Sequence, residues 1–362
     1  MLGAGQLGGM LGLAGLPLGL QFRFLDPAGA AFAAAVGDLR VGSLADAAAA
    51  AALADGAAVV TYEWEGIPAA TARAAAARAP VRPDPVALEV AQDRMSEKTL
   101  FAGLGIAVPA FAAVNDRSDL EEALATVGLP AVLKTRRGGY DGKGQHVLRV
   151  GADVDSAWAA RRGEPLILEE LVAFSRELSV LAVRGLDGAT ACYPLVETEQ
   201  RGGVLRVCRA PAPGVTGSLQ RAAEDIAGSI LDELGYVGVL AVELFERDGA
   251  LIANELAPRV HNSGHWTIEG AVTSQFENHL RAILGWPLGS TAARGSSGLV
   301  NALGSLPPRD AVLAIPGAHL HDYRKDPRAG RKVGHVTVVA DSDAERDRRL
   351  DVLRAVLDAP LA

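Results

Sequence analysis

Cysteine is nearly missing from this chain of 362 residues: Cys192 and Cys208 are the whole supply, and their spacing suits no metal site. So small a number fits a reducing cytoplasm, with both thiols buried as small apolar groups. A surplus of positive charge is missing too. The 35 Lys and Arg residues against 43 Asp and Glu leave a net charge of -8, which argues against a nucleic-acid partner or an anionic membrane. No apolar run of about 20 residues is free of breakers, so nothing is expected to span a bilayer. A secretory leader is not legible either. Met1–Leu25 is apolar, but it has no basic residue before Arg23, carries seven glycines and offers no convincing cleavage site. No internal repeat is found.

What is present is core-forming material. A hydrophobic content of 49% suffices for two or three compact domains. The first third alternates short apolar runs with alanine-rich stretches: 21–25 ends in Asp26-Pro27, 57–61 ends in Tyr62-Glu63, and helices are expected between them. That βαβ rhythm predicts a parallel sheet. Gly3-Ala-Gly-Gln-Leu-Gly8 reads as the turn after a first strand, leading into a helix from Leu7. Met1-Leu2 is too short for that strand, so the expectation is a truncated or mis-assigned start, or else a fold that tolerates a stub. Beyond the proline-rich 80–85 break, 87–104 predicts one strong helix carrying Asp93, Arg94, Glu97 and Lys98. The last segment predicts short strands at 318–321 and 334–340 and a closing helix at 344–357.

Chemistry concentrates in five places. After the apolar run 130–133 comes Lys134-Thr-Arg-Arg-Gly-Gly-Tyr-Asp-Gly-Lys-Gly-Gln145, a strand that delivers a lysine and opens into a cationic loop with four glycines. Glycines let backbone N–H groups approach phosphate oxygens closely, and the lysines supply charge. It is not a Walker loop, because no Ser or Thr follows the lysine; the bland alternative is a tight surface hairpin. Glu243 and Glu255 flank the turn Arg247-Asp-Gly249. A two-residue turn would set them on opposite faces of the hairpin, and a three-residue loop with Gly249 in a bulge on the same face. Converging there beside Asn254, they would suit magnesium held jointly with phosphates. Glu243 interrupts the apolar run 237–242, where an unpaired carboxylate costs several kcal/mol. Ala257-Pro-Arg-Val-His-Asn-Ser-Gly-His-Trp266 follows at once and crowds Arg259, His261, Asn262 and His265 into one loop. Glu169-Glu-Leu-Val172, read as an edge segment, could offer backbone groups to an adenine while Glu177 accepts ribose hydroxyls. Near the C-terminus, 323–332 packs five cations into ten residues, as a solvated face or as a phosphomonoester site.

With these pieces in order the chain resembles the ATP-grasp enzymes, and among them the N5-carboxyaminoimidazole ribonucleotide synthetases. The likeness runs from Gly3 to about Val339. It rests on Gly5-Gln-Leu-Gly8, Val60-Thr-Tyr-Glu-Trp-Glu65, Gln92-Asp-Arg94 with Lys98, Gly138–Gln145, Tyr193-Pro-Leu-Val-Glu197, Asn254–Trp266 and Gly330-Arg-Lys-Val-Gly-His335. The resemblance implies an N-terminal parallel-sheet domain (1–86), a central ATP-grasp module of two subdomains (87–290) and a small C-terminal domain (291–362). It implies that ATP phosphorylates bicarbonate to carboxyphosphate, which carboxylates 5-aminoimidazole ribonucleotide in purine biosynthesis. The fold would be α/β and α+β, the cofactors ATP and two magnesium ions, and the enzyme a cytoplasmic homodimer.

Carried over by motif, Arg94, Lys134, Gly139, Tyr140, Asp141, Gly142, Lys143, Gly144, Gln145, Glu169, Glu170, Leu171, Val172, Glu177, Asn254 and Glu255 would bind ATP. Glu243 and Glu255 would hold the metal. Gln6, Leu7, Glu63, Tyr140, Lys143, Arg259, Asn262, Lys325, Arg331 and Lys332 would contact the ribonucleotide. Arg259, His261 and Lys143 would be catalytic, with His261 managing protons. The chain departs from the family at Gly9, where Arg is usual, at Gly66, where Asn is usual, and at Gln200, where His is usual. The enzyme alternative is a formate-dependent glycinamide ribonucleotide transformylase, against which the His261–Trp266 run argues. The other is a non-catalytic ATP-binding regulatory protein.

Overall fold

The computed structural model describes residues 1–139 and 144–358. At the N-terminus, short parallel segments lie side by side in the order Asp38–Val41, Arg23–Asp26, Leu2, 60–62 and Val81. The first strand is therefore a stub. Leu2 donates to Thr61 O at 2.9 Å on one side, and Gly3 donates to Leu25 O at 2.9 Å on the other. A single buried residue suffices because neighbouring strands supply both ladders, so the strand expected to be missing has its place filled. The helix Gln6–Gly15 follows. Farther on, Asp46 caps Ala47–Ala54, which buries Ala50, Leu53 and Ala54 and leaves much of its alanine surface in water.

The single helix expected over 87–104 is two. Pro85–Ala91 ends, and Asp93 in an extended conformation caps Arg94–Gly103 by accepting the Met95 N–H at 3.0 Å. A carboxylate that caps cannot also continue a helix, so the break puts Arg94 at a helix start.

A four-stranded antiparallel sheet comes next, in the order Phe111–Val114, Leu166–Glu170, Ala131–Thr135 and Gln145–Leu148. Side-chain alternation sends Leu133, Leu148, Leu166 and Leu168 into a core with residues of the helices Arg117–Val127 and Gly151–Arg161. The other face carries Lys134 and Glu169. Leu166–Glu170 is an interior strand, which corrects the edge reading. Glu170 N–H donates to Ala110 O and Leu171 N–H to Pro130 O, so only the chain from Val172 onward lies past the ladder.

The remaining strands form one nine-stranded sheet. Ala250–Ala257 is at one edge, then Gly238–Arg247, Arg176–Arg184, Val196–Arg201 and Val204–Ala210. The C-terminal strands Ser296–Leu303, Lys332–Ala340 and Ala318–Asp322 continue it, and Thr190–Cys192 pairs beside Arg176–Arg184. Leu240, Val242 and Leu244 face the helix Gly217–Glu233 on the back, each worth about 1.5–3 kcal/mol when fully buried. On the front, Val239 and Ala241 share a core with Phe276 and Leu280 of Gln275–Leu284 and with Leu7 and Leu11. Glu243 follows on that front face. Cys208 is buried as expected, whereas Cys192 is half-exposed. Among the described residues no helix is long and apolar enough to cross a membrane.

Candidate active site

The hairpin decides the site. Arg247 pairs directly with Ala250, and Asp248 and Gly249 both have positive φ, 54° and 77°. Of the two turns the sequence left open, this is the two-residue one, with type I′ geometry. Alone it would set Glu243 opposite Asn254 and turn Glu255 away. The register shifts between Glu243 and Leu244 instead. Leu244 pairs with Ala253 and Glu243 with Glu255, leaving Asn254 as the additional residue of a β-bulge. The carboxylates converge as expected, by a different device.

Glu243 Oε2 accepts from Gln200 Nε2 at 3.1 Å, and its Oε1 lies 3.4 Å from His261 Nε2. Burial first, and then the charges of Glu255 and Glu177, push the Glu243 carboxyl up to about 8. Two carboxylates held together in a half-buried cleft make a place that a cation would relieve, and the donor set is the hard oxygen that magnesium takes. Among the described residues no three His, Cys, Asp or Glu side chains are grouped to hold a metal. The pair therefore fits an ion that completes its shell with phosphate oxygens and water.

Across the cleft, Lys134 Nζ lies 2.9 Å and Lys98 Nζ 3.5 Å from Glu169 Oε2. Burial alone would raise Glu169, but Lys134 and Lys98 outweigh it and bring the carboxyl down to about 2. Lys134 is lowered by burial, with the Arg94 and Lys98 charges adding and Glu169 opposing. Arg94 bridges to the hairpin, with Nη1 at 3.1 Å from Glu255 Oε2, and its Nη2 is 3.5 Å from Gly139 O. Three cations around one buried carboxylate leave positive charge for a polyphosphate. Gly144 and Gln145 close the phosphate loop, as Gly144 O accepts from Thr135 N at 3.0 Å and Gln145 pairs with Lys134. Tyr140, Asp141, Gly142 and Lys143 lie outside the described residues.

Glu170 is turned outward, taking Arg247 Nη1 at 2.8 Å, whereas Val172 is buried. Glu177 stands opposite Phe245, and burial raises its carboxyl. Phe174 stacks on Phe245 with ring centroids 4.7 Å apart, an apolar shelf that sequence reasoning did not single out.

The 258–266 loop reaches toward the N-terminal domain. Arg259 Nε pairs with Glu65, and its Nη1 donates to Val260 O at 3.0 Å. Burial works to raise Glu65, yet Arg259 beside it holds the carboxyl below its usual range. His261 Nδ1 accepts from the Ser263 N–H at 3.3 Å, which leaves the ring proton on Nε2, facing Glu243. Burial first, and then the Arg259 and Lys332 charges, hold His261 well below the usual histidine range, so the ring is neutral. Asn262 Nδ2 is buried with no hydrogen-bond partner.

At the third corner, Glu63 accepts the backbone N–H groups of Gly5 and Gly8 at the start of Gln6–Gly15. An anion at a helix start is favourable, although burial raises this carboxyl. Gln6 Oε1 accepts from Lys325 Nζ, whereas the Leu7 side chain is in the core, leaving only its backbone at the turn. Lys325 lies 5.5 Å over the Tyr323 ring, and Arg331 Nη1 donates to Asp326 O at 3.2 Å. Lys332 opens the strand Lys332–Ala340, close enough for its charge to act on Glu65, Glu243 and His261.

The departures have physical reasons. A Cβ on Gly9 would sit 2.0 Å from the Phe32 ring, and one on Gly66 would sit 2.3 Å from Trp64. Gln200 touches Glu243 directly. Sequence reasoning missed the roles of Glu65 and Lys98. Lys98 had a signal, one helical turn after Arg94; Glu65 had none, since its partner lies 194 residues away.

A four-stranded lid facing a large sheet, with a cationic strand on one side and a carboxylate hairpin on the other, defines the ATP-grasp class. Family models agree: a ribonucleotide synthetase preATP-grasp domain matches residues 1–92, an ATP-grasp domain 99–276, and a phosphoribosylaminoimidazole carboxylase C-terminal domain 297–349. The N5-carboxyaminoimidazole ribonucleotide synthase of Pseudomonas aeruginosa is 50% identical over 359 residues, covering 99% of each chain. The crystal structure of N5-carboxyaminoimidazole ribonucleotide synthetase from Thermus thermophilus superposes with a TM-score of 0.95 at 53% identity, covering 100% of this chain and 99% of that one. An Aspergillus clavatus N5-carboxyaminoimidazole synthase, solved with ADP and 5-aminoimidazole ribonucleotide, gives 0.92 at 31% identity, covering 99% and 97%. The chain belongs to the N5-carboxyaminoimidazole ribonucleotide synthase family.

Proposed function

We infer that this chain carboxylates 5-aminoimidazole ribonucleotide with ATP and bicarbonate, giving N5-carboxyaminoimidazole ribonucleotide, ADP and phosphate. The observation that carries this is the bulged hairpin, which sets Glu243 beside Glu255 and within reach of His261. A bicarbonate oxygen attacks the γ-phosphorus of ATP, ADP leaves, and carboxyphosphate forms. The substrate amine then attacks the carboxyl carbon, or CO₂ released from it, and phosphate departs. Carboxyphosphate hydrolyses readily, so the closed, partly buried cleft matters.

Lys134, Arg94 and the residues Gly139–Gln145 bind ATP. Phosphate-loop Lys143 is assigned a catalytic contact, and Tyr140 a contact to the ribonucleotide. Val172 and the backbone before it edge the adenine, and Glu177 takes ribose hydroxyls. Glu243 and Glu255 would hold magnesium, which would withdraw charge from the phosphate oxygens, and Asn254 at the bulge contacts ATP. Arg259, oriented by Glu65, neutralises charge on the carboxyphosphate. His261, neutral and fixed by Ser263, carries protons. Gln6, Glu63, Asn262, Lys325, Arg331 and Lys332 receive the ribonucleotide, the last three cations at its phosphate. The units are 1–86, 87–290 and 291–362, and the enzyme is a cytoplasmic homodimer.

ADP release is expected only with ATP, magnesium, bicarbonate and 5-aminoimidazole ribonucleotide together, followed in a coupled assay. Robust turnover with formate and glycinamide ribonucleotide would transfer the case to a transformylase, and nucleotide binding without turnover would mark a regulatory protein.

A further inference from the structure

Among the described residues, no strand pairs with the outer side of the edge strand Ala250–Ala257. The helix Arg94–Gly103 covers part of that edge instead, through side chains spaced on one helical face. Arg94 reaches the Glu255 carboxylate, Glu97 Oε1 accepts the Leu256 N–H at 2.7 Å, and Lys98 Nζ donates to Asn254 O and lies 3.5 Å from Ala253 O. The Ala253 N–H also points outward, to Ala107 O at 2.8 Å. Outward N–H groups of a regular strand recur every second residue. Ala253 and Leu256 are three apart, and the bulge at Asn254 is what allows it. Glu97 and Lys98 therefore fit this edge in its bulged register only. Were Asn254 drawn into the ladder opposite Glu243 instead of bulged, Glu255 would turn to the other face.

Lys98 is fully buried, an expensive place for an ammonium. Its carboxylate contact, Glu169, already has Lys134, so ion pairing alone does not account for it. The carbonyls at the bulge do, because a bulge leaves backbone groups without ladder partners. We propose that Lys98, with Glu97 beside it, clamps the Asn254 bulge and so holds Glu255 in register with Glu243. Both are positioning residues, and the claim rests on the reading of the carboxylate pair as a divalent-cation site.

The test is Mn²⁺ titration of the ADP-loaded protein, read as loss of the free-ion electron paramagnetic resonance signal. Glu255→Gln comes first: if it leaves Mn²⁺ affinity unchanged, the cation reading fails and the clamp with it. If Glu255→Gln weakens binding, Lys98→Met is expected to weaken it about tenfold or more, the usual cost of losing an outer support of a metal site. ADP affinity in EDTA should barely change, and raised magnesium should recover kcat. Glu97→Met, which removes the acceptor, shares the loss, while Glu97→Gln, which keeps an oxygen, does not. Full Mn²⁺ affinity in folded Lys98→Met overturns the clamp, as does an equal loss of metal-free ADP binding, which would place its action at Glu169 and Lys134. If Lys98→Met does not fold, the Glu97 pair decides, and two Glu97 variants that behave alike overturn it.

Discussion

Single side chains here carry charges that burial has retuned. Lys325 illustrates the consequence. Burial first, and then the Arg331 charge, pull its ammonium down from 10.5 to about 8, with Glu63 acting the other way. A lysine lowered on folding costs stability below about pH 8, and that cost fades as pH rises toward 10.5. For binding the sign is the reverse, since the charged form grips a phosphate. The KM for the ribonucleotide should hold steady below pH 8 and climb above it, by up to about tenfold per pH unit for one lost proton. Lys325→Arg stays charged throughout and should flatten that rise. A wild-type KM that is level through pH 9.5 would remove Lys325 from the phosphate site. Glu169 shows the opposite tuning, a carboxylate kept ionised by Lys134 and Lys98 so that burial does not protonate it.

At the scale of elements, one residue of strand register separates a working hairpin from an inert one. Inserting an alanine between Asn254 and Glu255 keeps the Asp248-Gly249 turn and the pairing from Leu244 to Arg247, but puts the alanine opposite Glu243 and turns Glu255 out of the cleft. Turnover should be lost as completely as in Glu255→Gln, with the circular dichroism spectrum retained; an insertion variant that turns over normally would refute the geometry. The carboxylate pair was legible in the sequence because Glu243 breaks an apolar run. Its mechanism was not, because a bulge at Asn254 and a bulged loop at Gly249 leave the same residue spacing. The phosphate-binding lysine was legible from its strand and glycines, whereas the interior place of Leu166–Glu170 depends on pairing with strands both before and after it. The neighbours of Asp93 favour a continuous helix; the capping hydrogen bond it accepts from Met95 N–H overrides them. The stub at Leu2 was one of the alternatives left open, and its pairing was illegible because both of its ladders come from residues more than 20 positions away.

At the scale of the molecule, the nine-stranded sheet runs without interruption from the carboxylate hairpin into the C-terminal strands. Val207 pairs with Val300 and Cys208 with Leu299, so the ladder crosses between the regions matched by two different family models. Ending the chain after Arg294 would uncover the Val204–Ala210 strand edge along with the apolar partners of Leu299 and Val300. Such a fragment should aggregate, and soluble monomer in size-exclusion chromatography would contradict this. For anyone recombining this chain with a relative, a graft that swaps the last 70 or so residues must reproduce a hydrogen-bond register as well as match a surface. A donor segment shifted by one residue at Val300 would exchange the side chains of the two cores that meet at this strand, one holding Leu299 and the other Val300, whatever its own stability in its parent.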